Sequence, residues 1–346
     1  ATKQIHLQPC GVMPCKKDEG GGQTRSVPDN WDSSQIPSLK GKIAIVTGAN
    51  SGTGFVTALE LARHGADVVL ACRNPERSAV AAEAIREEIK TSPGHGQIEE
   101  ITLDTSSQSS VKSFSDKFLK RHQKLDILVN NAGAMGFPYK QSVDGFELTV
   151  ATNHLGHFTL TASLMNALKR SPAARVVALS SGQHQTAKYT PGQLFMPEDK
   201  HSEMTAYGNA KLYTLLFAFE LGRRLEAAGL SNITSVACHP GASESNLLTN
   251  AGNQGIFLKR WLYKIIYFLA AISMMAQSAE MGALPTLYAA VAPNVKNGDY
   301  YGPGGLASMK GYPSLQEPAE IARSLEAAAD VWTTTENLLR FKFKVE

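Results

Sequence analysis

The stretch KIAIVTGANSGTG, residues 42–54, decides the fold. Ile43 to Thr47 form a short apolar run without polar alternation. A strand of that kind is buried on both faces, as in a parallel sheet covered by helices. Three glycines follow (Gly48, Gly52 and Gly54), and a helical pattern starts at once. Glycines there let the backbone turn tightly and come close to a ligand. The helix N-terminus then offers free N–H groups and a positive dipole end to phosphate. Gly48, Asn50, Ser51, Gly52, Thr53 and Gly54 are therefore candidates to hold a dinucleotide. A ligand-free tight turn would use the same glycines; their place after a buried strand, at the first strand-to-helix crossover, favours the ligand.

The same texture repeats outward from this point. Apolar runs ADVVLA, QIEEITLD, LDILVNNAG, ARVVALSS, NITSVACHP and, weakly, GDYYG alternate with helical patterns at about 54–64, 75–90, 107–122, 144–169, 205–228 and 278–291. Strand–helix alternation predicts an α/β fold with one doubly wound parallel sheet of six or seven strands. No internal repeat and no second core interrupt it, so residues 41–346 read as a single domain. Residues 1–40, rich in Gly, Pro, Lys, Asp and Ser and without a period, read as a partly disordered N-terminal extension. Trp31 within it has the apolar surface to pack against that domain.

Composition narrows the function classes. Apolar residues make up 43% and charged residues 19% of the 346, as in a soluble globular protein. A net charge of +3 with no Lys/Arg-rich block argues against a nucleic-acid partner. Of four cysteines, Cys72 and Cys238 lie in strand-like runs and read as buried thiols. Cys10 and Cys15 lack a second ligand pair, so no metal site is read from them and a reducing compartment is expected. No run of 18 apolar residues is present, and no secretory signal is visible, so a cytoplasmic location is expected. A site peripheral to a membrane, or an organelle reached after N-terminal processing, stays open beside it. The segment GIFLKRWLYKIIYFLAAISMMAQ, 255–277, breaks the rhythm. It reads either as part of a substrate lid, around 243–277, or as an amphipathic helix making peripheral membrane contact.

Chemistry concentrates at strand ends. The second strand ends in VVLACRN, with Cys72 where an NAD site places a carboxylate and Arg73 next to it, followed by Asn74. A guanidinium fork suits a 2′-phosphate and a carboxylate repels one, so NADP(H) is favoured over NAD(H). LDTSS brings Asp104, a candidate partner for an adenine amino group, and Thr105. NNAG brings Asn131, Ala132 and Gly133, whose backbone would lie along the cofactor. Asp, Asn and Gly also serve as turn residues in such places.

The fifth strand ends in Ser180 and Ser181, and 26 residues after Ser181 comes Tyr207, with Lys211 four residues on. That spacing puts both on one helical face. Reducing a carbonyl requires a hydride on carbon and a proton on oxygen. Phenol is a reluctant donor or acceptor at its ordinary value near 10, and a neighbouring ammonium is expected to lower it. A serine hydroxyl can hold the same oxygen.

TGANSGTG, NNAG, ALSS, YGNAK and HPG, in that order and spacing, resemble the short-chain dehydrogenase/reductase family over residues 41–335. The resemblance implies a Rossmann-type sheet and a catalytic set of Ser181, Tyr207 and Lys211, with Asn153 of TNHLGHF as a fourth, proton-relay member. It implies that Lys211 also holds the nicotinamide ribose and that Pro240 and Gly241 face the nicotinamide. NHLGHF, ACRN, the long insert before Tyr207 and DYYGPGGLASMKGYP resemble the retinol-dehydrogenase-like and protochlorophyllide-reductase-like branch. That branch implies an NADP(H)-dependent oxidoreductase interconverting carbonyl and alcohol on a bulky lipophilic small molecule, as monomer or homodimer. Alternatives are a light-dependent protochlorophyllide-type reductase and a nucleotide-binding scaffold or sensor that keeps the fold. Two positions depart from the family pattern. Thr53 replaces a usual Ile or Leu, and ASESN after HPG offers only Ser243 or Ser245 for a carboxamide-contacting threonine.

Overall fold

The computed structural model describes residues 26–242 and 277–345. Strands and helices alternate from the first glycine-rich crossover onward. They run β1 (Ile43–Thr47), α1 (Gly52–Arg63), β2 (Asp67–Cys72), α2 (Pro75–Ile89), β3 (Ile98–Thr102), α3 (Gln108–Arg121) and β4 (Ile127–Asn130). After β4 a single helical rod begins as α4 (Leu148–Val150), passes through a π-helical turn (Ala151–Leu155) and continues as α5 (Gly156–Lys169). There follow β5 (Ala174–Leu179), α6 (Glu203–Ala227), β6 (Ile233–Cys238), α7 (Ala279–Val291), β7 (Tyr300–Pro303), β8 (Pro313–Leu315) and α8 (Leu325–Leu339).

The sheet order is β3-β2-β1-β4-β5-β6-β7-β8. Neighbours pair in parallel from β3 through β7, and β8 closes the edge antiparallel to β7. The order reverses between β1 and β4, the switch point whose carboxyl edge opens a crevice for ligands. β1 shows why these residues make a central strand. Ala44 and Val46 pack into one apolar layer with Val56 and Leu61 of α1, Ile85 of α2 and Leu287 of α7. Ile45 packs into the other with Phe114 of α3, Phe158 of α5 and Leu221 of α6. Each fully buried side chain of this size contributes about 1.5–3 kcal/mol.

Eight strands are present where the sequence pattern predicts six or seven. The additional one, β8, is three residues long and is held by pairing with Tyr301, Gly302 and Pro303. It carries no periodicity of its own. α8 also lacks an early signal, because its interior Thr333, Thr334 and Thr335 are β-branched residues of low helix propensity. Tertiary packing fixes it: Trp332 lies 5.0 Å from Phe158, 5.9 Å from Phe217 and 4.9 Å from Phe343, ring centre to ring centre. The Arg224 guanidinium covers the same indole at 4.3 Å.

Within the extension, residues 26–40 pack onto the domain. Trp31, Ile36 and Leu39 are buried, Trp31 meets Tyr288 edge-on at 5.1 Å, and the Leu39 amide donates to the His64 carbonyl. Cys72 and Cys238 are free, buried thiols. Cys10, Cys15 and all of the 243–277 segment except Gln277 lie outside the described residues. Among the described residues no helix is long and apolar enough to cross a membrane.

Candidate active site

The glycine loop leaves β1 in a shape that only glycine adopts easily. Gly48 and Gly52 have φ of +67° and +56°. Gly54 is required by proximity: a Cβ there would sit 2.4 Å from Asn131 Nδ2 and 2.6 Å from the Gly48 carbonyl oxygen. Asn131 Nδ2 donates to the Thr47 carbonyl at 2.6 Å, and Thr53 Oγ1 donates to Asn131 Oδ1 at 3.3 Å. The Asn131 side chain thus clasps the loop, leaving its backbone to the crevice. Ser51 occupies the N-cap of α1 but makes no side-chain capping bond. The amides of that first turn remain available to an anion, as a dinucleotide phosphate requires.

The end of β2 is built for an anion as well. Arg73 is exposed beside buried Cys72. Asn74 Oδ1 accepts from the Arg77 amide at 2.7 Å, so the side-chain oxygen caps α2 while Nδ2 keeps its two donors. Arg77, which the sequence reading passed over, stands in the first turn of α2, where a cation opposes the helix dipole. Among the described residues neither Arg73 nor Arg77 forms an ion pair. The spacing of Arg73 and Arg77 across a Pro-initiated helix was the available signal.

At β3, Asp104 Oδ1 accepts from Ser106 N at 2.9 Å and Ser106 Oγ at 2.6 Å, a turn in which one carboxylate oxygen is occupied. Oδ2 has no hydrogen-bond partner among the described residues. The carbonyl of Thr105 abuts Gly156, where a Cβ would sit 1.9 Å from it. At β4, Gly133 lies directly against two candidate catalytic groups: its Cβ would be 2.9 Å from Asn153 Oδ1 and 3.5 Å from Lys211 Nζ. Pro240 and Gly241 follow β6; the Pro240 carbonyl accepts from Gln277 Nε2 at 2.8 Å, and Gly241 has φ of +66°. Gln277, unread in the sequence, also takes the Gly311 amide on Oε1 at 3.0 Å, and its own amide donates to Ala242.

Asn153, Ser181, Tyr207 and Lys211 come together at this edge. Ser180 and Ser181 separate cleanly. Ser180 Oγ donates to the Lys211 carbonyl at 2.8 Å, fully buried, whereas Ser181 Oγ accepts from the Gln183 amide and lies beside the Tyr207 phenol. Asn153 Nδ2 donates to Ala134 O and Thr149 O, and its Oδ1 takes the Ala134 amide. Lys211 Nζ lies 5.7 Å from the Tyr207 ring centre and donates to the Leu179 carbonyl at 2.8 Å. His184, also missed, has Nδ1 2.6 Å from the Ser181 carbonyl and Nε2 accepting the Ala319 amide. Because Nε2 accepts, the imidazole carries its proton on Nδ1 and props the Ser181 turn.

Electrostatics here run against the expected lowering of the tyrosine. Burial raises the Tyr207 phenol above 10, and the neighbouring Ser181 hydroxyl only partly offsets it. Lys211 does not reverse this, since its ammonium faces Leu179 O beneath the ring. Burial instead pulls Lys211 down to about 8. Cys238 behind it is pushed up to about 12 by burial and stays a thiol. The resting pair is therefore a neutral phenol beside a lysine that titrates near neutrality, a proton donor backed by a cation.

The family model described as short chain dehydrogenase matches residues 42–254. The chain is 37% identical over 291 residues to human retinol dehydrogenase 13, covering 84% of this chain and 83% of that protein. It is 39% identical over 269 residues to mouse retinol dehydrogenase 12, covering 77% and 78%. An uncharacterized protein from Mycobacterium paratuberculosis, 35% identical, superimposes with a TM-score of 0.70 over 91% of this chain and 99% of that one.

Proposed function

This chain belongs to the short-chain dehydrogenase family, in its retinol-dehydrogenase-like branch, and from that premise we propose that it is an NADPH-dependent reductase of bulky lipophilic aldehydes or ketones. Its membership makes it a nicotinamide-dependent oxidoreductase acting on CH–OH groups. The observation that carries the proposal is the convergence of Tyr207, Ser181, Lys211 and Asn153 beside a glycine loop whose first-turn amides are uncapped. NADPH, rather than NADH, is supported by Arg73 and Arg77 after β2, whose last residue is Cys72 where an NAD site places a carboxylate. The lipophilic substrate follows from the similarity to relatives named for retinol.

Held by the glycine loop, the Arg73 end of β2 and the Asn131–Gly133 turn, a nicotinamide cofactor would supply or accept a hydride. Ser181 Oγ donates a hydrogen bond to the carbonyl oxygen and holds it beside the phenol. Tyr207, neutral because it is buried, gives its proton to that oxygen as charge develops there. Lys211 stabilises the phenolate left behind, an interaction strengthened by burial on all sides. Asn153 holds the Ala134 backbone and so the edge of the Gly133 turn against the lysine. Reprotonation of Tyr207 completes the cycle, and oxidation of an alcohol runs the same steps backward. The chain acts as a monomer in this reading, because the aromatic face of α5 and α6 is already covered by its own α8 and Phe343.

The test is purified protein with NADPH and NADH side by side against a panel of aldehydes, ketones and retinoids. NADPH consumption that Tyr207→Phe abolishes, with NADPH binding retained, supports the reading. Turnover by Tyr207→Phe at the wild-type rate, or a preference for NADH, overturns it.

A further inference from the structure

His157 lies one helical turn beyond Asn153 and is 3% exposed. Burial holds its imidazole neutral, at about 4. A neutral imidazole has one N–H and one lone pair, and each ring nitrogen here has a partner. Nδ1 is 3.1 Å from the Asn153 carbonyl oxygen, and Nε2 is 3.0 Å from Thr47 Oγ1. The carbonyl can only accept, so the proton sits on Nδ1 and Nε2 is the acceptor. The Thr47 hydroxyl then donates to Nε2 in preference to its longer 3.3 Å contact with the Val129 carbonyl. Its two lone pairs are filled by the amides of Asn131 and Ala132, each at 2.8 Å.

The ring is therefore a brace of fixed length. One end reaches the junction of β1 and β4, where Asn131 both clasps the glycine loop and leads into Gly133. The other end reaches the π-helical turn that carries Asn153. Hydrogen bonds in such a turn run from residue i to i+5, as from the Ala151 carbonyl to the Gly156 amide, and π-turns recur at functional sites. Here the Asn153 carbonyl is met by two side chains, His157 and Thr214, the latter at 3.3 Å from the helix that bears Lys211. A residue present only to fill space would be apolar. An imidazole with both nitrogens satisfied by different active-site segments does more than fill space.

We propose that His157 is a positioning residue that sets the spacing between the cofactor floor, formed by Thr47, Asn131 and Ala132, and the turn presenting Asn153. Its two nitrogens do separable work. The Nε2 contact orders the floor on which NADPH lies; the Nδ1 contact orders the turn beside the reacting groups. The inference rests on the reductase reading above.

Asparagine places an amide where Nδ1 stands, and glutamine places one where Nε2 stands. In the full chain, His157→Asn is expected to keep kcat with all-trans-retinal within about threefold while weakening NADPH binding, read by fluorescence titration, roughly tenfold. His157→Gln is expected to do the reverse, and His157→Phe to lose both. Thermal melting of each variant reports folding, and if His157→Phe does not fold the Asn and Gln pair still decides. Equal shifts of binding and kcat in the Asn and Gln variants, or wild-type behaviour of His157→Phe, overturn the inference. Tyr207→Phe measured beside them separates the two levels: turnover there defeats the reductase reading, whereas an inactive Tyr207→Phe with an unaffected His157→Phe defeats only the brace.

Discussion

Lys211→Met should abolish turnover and, unusually for a substitution in a core, remove a stability penalty that depends on pH. The lysine is 4% exposed, and burial lowers its ammonium from an ordinary 10.5 to about 8. At pH 7 it is charged in both folded and unfolded chains, so the folded state bears the full difference. At about 1.4 kcal/mol per pH unit that difference amounts to about 3 kcal/mol. Between the two values the unfolded chain binds more protons than the folded one, so wild-type stability rises with pH there. Below about 8 the penalty is constant, and above 10.5 it is gone. Methionine carries no such dependence. Its other effects, lost packing and a Leu179 carbonyl left without the Nζ hydrogen bond, do not vary with pH and cancel when the same pair is compared across pH. Urea unfolding of wild type and Lys211→Met from pH 7 to pH 10, without nucleotide, should show wild type gaining about 2–3 kcal/mol relative to the variant. A gap that stays flat over that range would mean that the ammonium is not desolvated, and the account of a neutral phenol backed by a buried cation would fall with it.

Charge reversal at the end of β2, Arg73→Glu, should raise the KM for NADPH roughly tenfold to a hundredfold, the worth of one charged hydrogen-bonded pair, while leaving that for NADH unchanged or improved. Steady-state kinetics with both cofactors reads it. Gly54→Ala should weaken nucleotide binding and destabilise the fold by about 1–3 kcal/mol, because the new methyl meets the Asn131 amide and the Gly48 carbonyl; titration and melting measure the two effects. Trp332→Ala should cost about 3–5 kcal/mol and bare the Phe158–Phe217 face, so that sedimentation shows more association than wild type at the same concentration.

Much of the fold is legible in the sequence because its strands are buried on both faces and announce themselves as unbroken apolar runs. The helices predicted at 75–90 and 205–228 are found at Pro75–Ile89 and Glu203–Ala227. What escaped depends on partners distant in the chain. β8 exists only through β7, α8 is held by aromatics of α5 and α6, and no local pattern marks the π-helical turn. The site divides the same way. Tyr207 and Lys211 are readable as a pair because helical spacing is local. The direction in which Tyr207 shifts is not, because it turns on burial by surrounding segments and on where Nζ points. Only the family resemblance singles out Ser181 over Ser180; the structure gives Ser180 a different role, its hydroxyl donating to the Lys211 carbonyl.

The buried histidines extend this argument from stability to mechanism. His154, His157, His184 and His239 are all kept neutral by burial, the first at about 3 and the second and fourth at about 4. His154 bonds Thr335 of α8, His157 bonds Thr47 of β1, and His184 bonds the Ala319 amide. Each of these three ties a segment next to a candidate catalytic residue to a part of the chain distant in sequence. A neutral imidazole offers one donor and one acceptor at fixed geometry without adding charge. That matters beside Lys211: a further cation in this dry region would lower the ammonium still more and weaken the support it gives the phenolate. Rigid uncharged braces let the site keep one titrating cation, Lys211, close to neutrality and aimed at a single proton transfer.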